Sequence, residues 1–171
     1  FPQKFSAIIE AYSAPDETQQ TQSPERVSEQ NFQVLIVGAG AAGISVASSL
    51  LKRDSSLDIA IIDPAESHFY QPGFTLVGGG VFTLGQTRRS MSSVMPKQVK
   101  WIKSAVESFA PESNYLLLDS GKRVAYQQLI VCPGLVLNWS AVEGLEETLG
   151  KNGVTSNYSP DTATYTWDLV Q

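Results

Sequence analysis

The first strongly apolar run of the chain is FQVLIV, residues 32–37, and it predicts a strand buried on both faces. GAGAAG follows. Then comes ISVASSLLKR, whose apolar residues recur at helical spacing and whose basic end suits a helix C-terminus. LDIAIID, residues 57–63, is a second buried strand, so the three segments form a β-α-β unit. The pattern then breaks. HFYQPGFTLVGGG, residues 68–80, has aromatic rings, turn-formers and three consecutive glycines but almost no charge, and predicts a long irregular loop.

Alternation resumes in VKWIKSAVESF, residues 99–109, which predicts one strand. NYLLLD and RVAYQQ flank Ser120-Gly121-Lys122, an expected hairpin turn. LIVCPG, residues 129–134, predicts a buried return strand ended by Pro133 and Gly134. Residues 138–158 are loop-like. A helix follows with Ser159 as N-cap and Pro160 at its first position, and its pattern is still running at Gln171. There are no internal repeats. The fold class is α/β: a Rossmann-like dinucleotide-binding domain whose parallel sheet carries an antiparallel hairpin insertion.

Residues 1–31 are different. SAPDETQQTQSPERVSEQN is too polar to bury the surface that would offset chain entropy, so this stretch is expected to be a disordered leader, with the folded domain at 32–171. The leader is acidic, unlike a typical organelle transit peptide, and it is at best a remnant of one. Because the first residue is Phe1 rather than Met, a processed, truncated or partial chain is expected.

Charge and composition narrow the function. A net charge of −5 argues against a general nucleic-acid binder. No apolar run approaches the ~18 residues of a membrane span. One cysteine, Cys132, and one histidine, His68, make a poor metal set, and no chemistry that needs two thiols is possible within these residues. Cys132, in an apolar run, is expected to be a small buried hydrophobe. His68 is either a proton shuttle or, in the plainer reading, structural. Arg88, Arg89, Lys97, Lys100 and Lys103 lie in an acid-free stretch that would suit an anionic cofactor, lipid headgroups or simply a solvated face. The sequon at Asn138 is discounted because nothing indicates a secretory route.

The chemistry lies in Gly38-Ala39-Gly40-Ala41-Ala42-Gly43. This G-x-G-x-x-G follows a buried strand and opens a helix, and Asp63 ends the next strand 20 residues after Gly43, which completes the dinucleotide fingerprint. Gly38 permits the tight turn, Gly40 lets a pyrophosphate reach the backbone, and Gly43 allows close helix–strand contact. The free amides at the helix start, including those of Ala41 and Ala42, face the phosphates. Asp63 can accept hydrogen bonds from ribose hydroxyls. The fingerprint does not choose between NAD and FAD. A long loop, a hairpin and a return strand ending near Gly134, in place of further α-β repeats, favour FAD.

With VGAGAAG, IIDPAESHFYQPGFTLVGGG, VKWIKSAV, LIVCPG and GVTSNYS, the chain from residue 32 to 171 resembles the amino-terminal part of the sulfide:quinone oxidoreductase family. The resemblance implies FAD as cofactor, with Gln71 and the backbone of Val106 as contacts, the latter at the adenine. Pro72 and Phe74 would offer apolar surface beside the flavin and the loop glycines would let the backbone approach it; in the plainer reading Phe69, Tyr70 and Phe74 simply cap the core beneath the loop. The resemblance also implies an enzyme in which sulfide attacks a disulfide beside the flavin and electrons pass through FAD to quinone at a membrane surface. That membrane would be the mitochondrial inner membrane or a bacterial plasma membrane. The reactive cysteines, a second nucleotide-type domain and the membrane-anchoring end lie beyond the region covered. No catalytic residue is therefore assigned, and the chain is expected to be incomplete relative to the family and inactive alone. Two alternatives stay open: a related flavoenzyme, such as a quinone reductase using NADH or a flavocytochrome-type sulfide dehydrogenase, and a non-catalytic FAD-binding fragment.

Overall fold

The computed structural model describes residues 30–171. The expected leader therefore lies outside the described residues, apart from Gln30 and Asn31, which open the first strand. The strands are β1 (Gln30–Val37), β2 (Ile59–Ile62), β3 (Ser67–Phe69), β4 (Arg88–Ser90), β5 (Lys100–Ile102), β6 (Val106–Ala110), β7 (Tyr115–Leu118) and β8 (Arg123–Val131). The main sheet runs in the order β5-β2-β1-β8-β7-β6. The first four are mutually parallel and the last two join by antiparallel pairing. A separate two-stranded ribbon pairs β3 with β4.

Helix α1 (Ala41–Arg53) covers one face of the parallel strands. Its Ala47 and Leu51 pack with Val34, Ile36, Ile59 and Ile61. The opposite face, with Leu35, Val37, Ala60 and Ile62, meets Leu116, Leu118, Val124 and Tyr126 of the antiparallel strands. Both faces of β1 and β2 are thus covered, which is why their sequences are continuously apolar rather than alternating.

VKWIKSAVESF is not one strand. It contributes β5 at one edge of the sheet and β6 at the other, with only Lys103–Ala105 between them. A flat sheet would hold those edges roughly 24 Å apart, whereas this connection spans at most about 14 Å. The sheet therefore curls, and the antiparallel strands fold back over the parallel ones. Ser104, at the break, is buried, and its hydroxyl donates to the Asp119 carboxylate. The Asp119 amide donates to the Ala105 carbonyl at 3.0 Å. Ile102 and Val106 pack against the same core cluster on either side of the break, so the alternation passes through it unmarked.

RVAYQQ and LIVCPG also differ from expectation, because they form the single strand β8. Its first residues pair antiparallel with β7, and its length from Val124 to Val131 runs parallel to β1. The hairpin turn at Ser120–Lys122 is as expected, with Gly121 at φ 76°.

The aromatic loop is more ordered than its composition suggests. It contains part of β3, a 3-10 turn at Gln71–Gly73 and helix α2 (Phe74–Gly78). Two further short helices, α3 (Leu84–Thr87) and α4 (Met91–Val94), flank β4, and α5 (Leu145–Thr148) interrupts the loop-like stretch. The last helix, α6 (Pro160–Val170), is capped as expected, the Ser159 hydroxyl accepting from the Asp161 amide at 3.2 Å. Its Ala163 packs against Phe74 and Val77 of α2. Among the described residues, no helix is long and apolar enough to cross a membrane.

Candidate functional site

The carboxyl ends of β1, β2 and β8 meet at one edge, where a doubly wound sheet offers its ligand crevice. Gly38 sits at the centre of that edge. Its amide donates to the Ile62 carbonyl at 2.8 Å, and its φ is 97°. A Cβ there would lie 2.0 Å from the Cys132 carbonyl oxygen. Only glycine can therefore sit between the ends of β2 and β8. Gly43 answers a different demand, since a Cβ on it would stand 1.9 Å from the Gly38 carbonyl oxygen. This contact presses the first turn of α1 against the turn leaving β1.

Gly40, the N-cap of α1, is the opposite case. Its Cα face meets nothing within 4 Å, and its φ of −70° is open to any residue. Packing does not require glycine at this position, but a ligand lying against the backbone would. Ala41 and Ala42 are exposed in the first turn, where amides have no intrahelical acceptor. No side chain caps the helix and its first turn holds no acid, so its positive end is open to an anion.

Asp63 is half-buried at the end of β2 and held on all sides. Its Oδ2 accepts from the Ala39 amide and its Oδ1 from the Ala65 amide, both at 2.7 Å. Its own amide donates to the Ile102 carbonyl, and the Trp101 indole donates to its carbonyl at 2.8 Å. Each carboxylate oxygen keeps a second acceptor position for a ribose hydroxyl. Ala39 is held from the other side as well, its carbonyl lying 3.3 Å from His68 Nδ1. The histidine thus braces the glycine turn, matching its plainer reading. No spacing rule links residues 39 and 68, so only the fold shows this contact.

The remaining predicted positions are more dispersed. Gln71 is exposed, and its carbonyl accepts from the Phe74 amide. Val106 opens β6, four residues after Ile102, whose carbonyl takes the Asp63 amide. Gly134 is exposed at φ 80°, just past β8.

Phe74 does not offer surface to a ligand. It is buried, with its ring edge-on to Phe69 at 5.9 Å, inside the cluster formed with α6. Tyr70, by contrast, is exposed. Two of the three consecutive glycines also serve internal packing. A Cβ on Gly78 would strike the Asn157 side chain, and one on Gly80 would strike the Trp167 ring. Cys132 is partly exposed and lies outside the core clusters, so it is not the buried hydrophobe expected. Its amide donates to the Val37 carbonyl at 2.7 Å, and its carbonyl forms the surface under Gly38.

The sequence profile described as "Pyridine nucleotide-disulphide oxidoreductase" matches residues 32–163. The chain belongs to this family. The cofactor of this family is FAD. The chain is 46% identical over 139 residues to the mitochondrial sulfide:quinone oxidoreductase of Dictyostelium discoideum, covering 81% of this chain and 31% of the relative. With the mitochondrial sulfide:quinone oxidoreductase of Mus musculus it shares 38% over 144 residues, covering 84% of this chain and 32% of the relative. The chain spans about a third of the length of these curated relatives. The solved sulfide:quinone oxidoreductase of Aquifex aeolicus has the same fold, with a TM-score of 0.65 and 22% identity over 83% of this chain and 32% of that one.

Proposed function

We propose that residues 32–171 are the amino-terminal FAD-binding portion of a flavoprotein that oxidises sulfide and passes electrons to a quinone. The observation that carries this reading is the 46% identity to a sulfide:quinone oxidoreductase, which extends over 139 residues. The open Cα face of Gly40 and the uncapped, acid-free start of α1 fit the cofactor.

In this reading, Gly38 and Gly43 shape the turn, and the amides of Gly40, Ala41 and Ala42 hold the pyrophosphate. Asp63 accepts from the ribose hydroxyls, braced by Ala39 and Ala65. Val106 meets the adenine through its backbone, Gln71 reaches the middle of the cofactor, and the tail at Gly134 lies beside it. When bound, FAD supplies the two-electron acceptor. The chain has a single cysteine, so a reactive thiol pair would have to come from outside these residues, and the chain alone does not oxidise sulfide. The parent would work at the surface of the mitochondrial inner membrane.

The test is the visible spectrum of the purified chain, with the released cofactor identified chromatographically. A flavin spectrum with FAD released is expected, and Asp63→Asn should bind FAD roughly 10- to 100-fold more weakly. That loss corresponds to the ~1.5–3 kcal/mol of hydrogen bonds to a charged group. A folded chain that takes up no FAD, or an Asp63→Asn variant of unchanged affinity, would defeat the assignment of this edge.

A further inference from the structure

A second concave site lies away from the glycine turn. A cavity of about 330 Å³ opens where the edge strand β5 faces the β7–β8 hairpin. Gln30 and Val124, paired at the start of β1, line it. Gly38 lies eight residues along from Gln30, roughly 26 Å at the rise of an extended strand. The Gln30 end of the cavity is therefore remote from the glycine turn, while its β5 wall, through Trp101 and Ile102, backs onto Asp63.

Its charge runs against that of the chain. Lys100 and Lys103 line it from one side and Lys122 and Arg123 from the other, within a protein of net charge −5. No acid is among the lining residues. Two carboxylates stand nearby and both are engaged. Glu66 pairs with Lys103 at 3.1 Å, and Asp119 accepts from Ser104. Among the described residues, the four lining cations and these two engaged acids leave a net positive mouth.

Three of the cations have seats. Lys100 Nζ lies 5.5 Å from the Phe32 ring centroid, Lys103 Nζ 4.4 Å from that of Trp101, and the Arg123 guanidinium 4.9 Å from that of Tyr115. Cations held on aromatic faces lose less rotamer freedom when an anion arrives. Gln30 adds a buried Oε1 with no hydrogen-bond partner among the described residues, an acceptor suited to a ligand O–H.

We infer that this cavity binds a phosphoryl group, free or carried as a phosphate monoester. Compact cations on two facing walls match a tetrahedral oxyanion, and the volume is that of a small-molecule site rather than of a protein interface. The protonated oxygen of a monohydrogen phosphate supplies the donor that Gln30 lacks.

The test is a titration of the isotope-labelled 171-residue chain with inorganic phosphate, against sodium chloride at equal ionic strength, followed by backbone amide shifts. Saturable shifts at Gln30, Ser120 and Lys122 are expected with phosphate and not with chloride. The double variant Lys122→Gln/Arg123→Gln should weaken binding about ten-fold, and Lys100→Gln should weaken it from the opposite wall. Both variants should keep the thermal midpoint of the parent. Vesicles of phosphatidylcholine with or without phosphatidic acid identify the source of the group. Phosphate-competed pelleting with phosphatidic acid assigns it to a lipid, and phosphate binding without pelleting assigns it to a soluble ester. Shifts confined to Gly40–Gly43, equal shifts with chloride, or wild-type affinity in the double variant would each overturn the inference.

Discussion

The three fingerprint glycines look equivalent in the sequence and are not equivalent in the fold. Gly43 is demanded by contact, since its Cβ would meet a backbone oxygen that cannot move aside. Gly43→Ala should therefore destabilise the domain by about 3 kcal/mol, in the manner of an overpacked core. Gly40 is demanded by nothing in the protein itself. Gly40→Ala should cost about 1 kcal/mol or less in stability, as a helix-cap change. It should nonetheless weaken FAD binding at least about ten-fold, because in the proposed site the new methyl would stand where the pyrophosphate meets the backbone. Denaturant unfolding beside FAD titration separates the two. A Gly40→Ala protein that binds normally would remove this site from the reading. The G-x-G-x-x-G spacing shows that three glycines are needed, but not which one faces the ligand, because that depends on what β8 brings up beneath the turn.

At the level of elements, one connection decides the architecture. Residues 103–105 carry the chain from one edge of the sheet to the other, and the Ser104–Asp119 hydrogen bond pins that crossing to the hairpin. The Ser104 hydroxyl, and after it the Ala105 backbone, hold the Asp119 carboxyl below its ordinary value. A carboxyl depressed in the folded state stabilises above its unfolded pKa, about 3.9, and loses that contribution as pH falls through the folded value. Asp119→Asn should accordingly lower stability near pH 7, where the ionised carboxylate contributes, and converge on the parent at low pH, flattening the decline below pH ~4. Urea midpoints measured across that range would show it. Asp54, also lowered, chiefly by the Ser56 hydroxyl, is present in both proteins and cancels from the comparison. An unchanged acid slope in the variant would mean that this hydrogen bond does not report on the crossing.

For the molecule as a whole, the distribution of apolar surface is uneven. The two faces of the parallel sheet are well covered, yet just past the cofactor edge Leu135 and Val136 are 88% and 98% exposed. Val131 and Val142, on either side in sequence, are also exposed. Apolar residues gathered in this way favour association. Leu135→Ser/Val136→Ser should lower binding of a hydrophobic dye and any concentration-dependent self-association, while leaving the unfolding free energy within ~1 kcal/mol of the parent. Equal dye binding in both proteins would show that the tract is covered in solution.

The legible part of this protein is local and periodic. β1, α1 and β2 could be read directly, because a strand buried on both faces is apolar throughout and a helix with one buried stripe repeats at 3.6 residues. The hairpin turn at Gly121 and the Ser159 cap were legible because their chemistry is confined to neighbouring residues. The fingerprint was legible for the same reason, its glycines and Asp63 standing at fixed offsets. Contacts between distant segments were not. Nothing near Ser104 marks a crossing, since both flanking stretches face one core. Nothing near Gly78 or Gly80 announces Asn157 and Trp167, and nothing near His68 announces Ala39. Lys100 and Arg123 are 23 positions apart and come to one cavity only because the sheet curls. Periodicity records which face a residue turns inward. What it meets there is set by chain closure and packing between segments, and these appear only in the folded molecule.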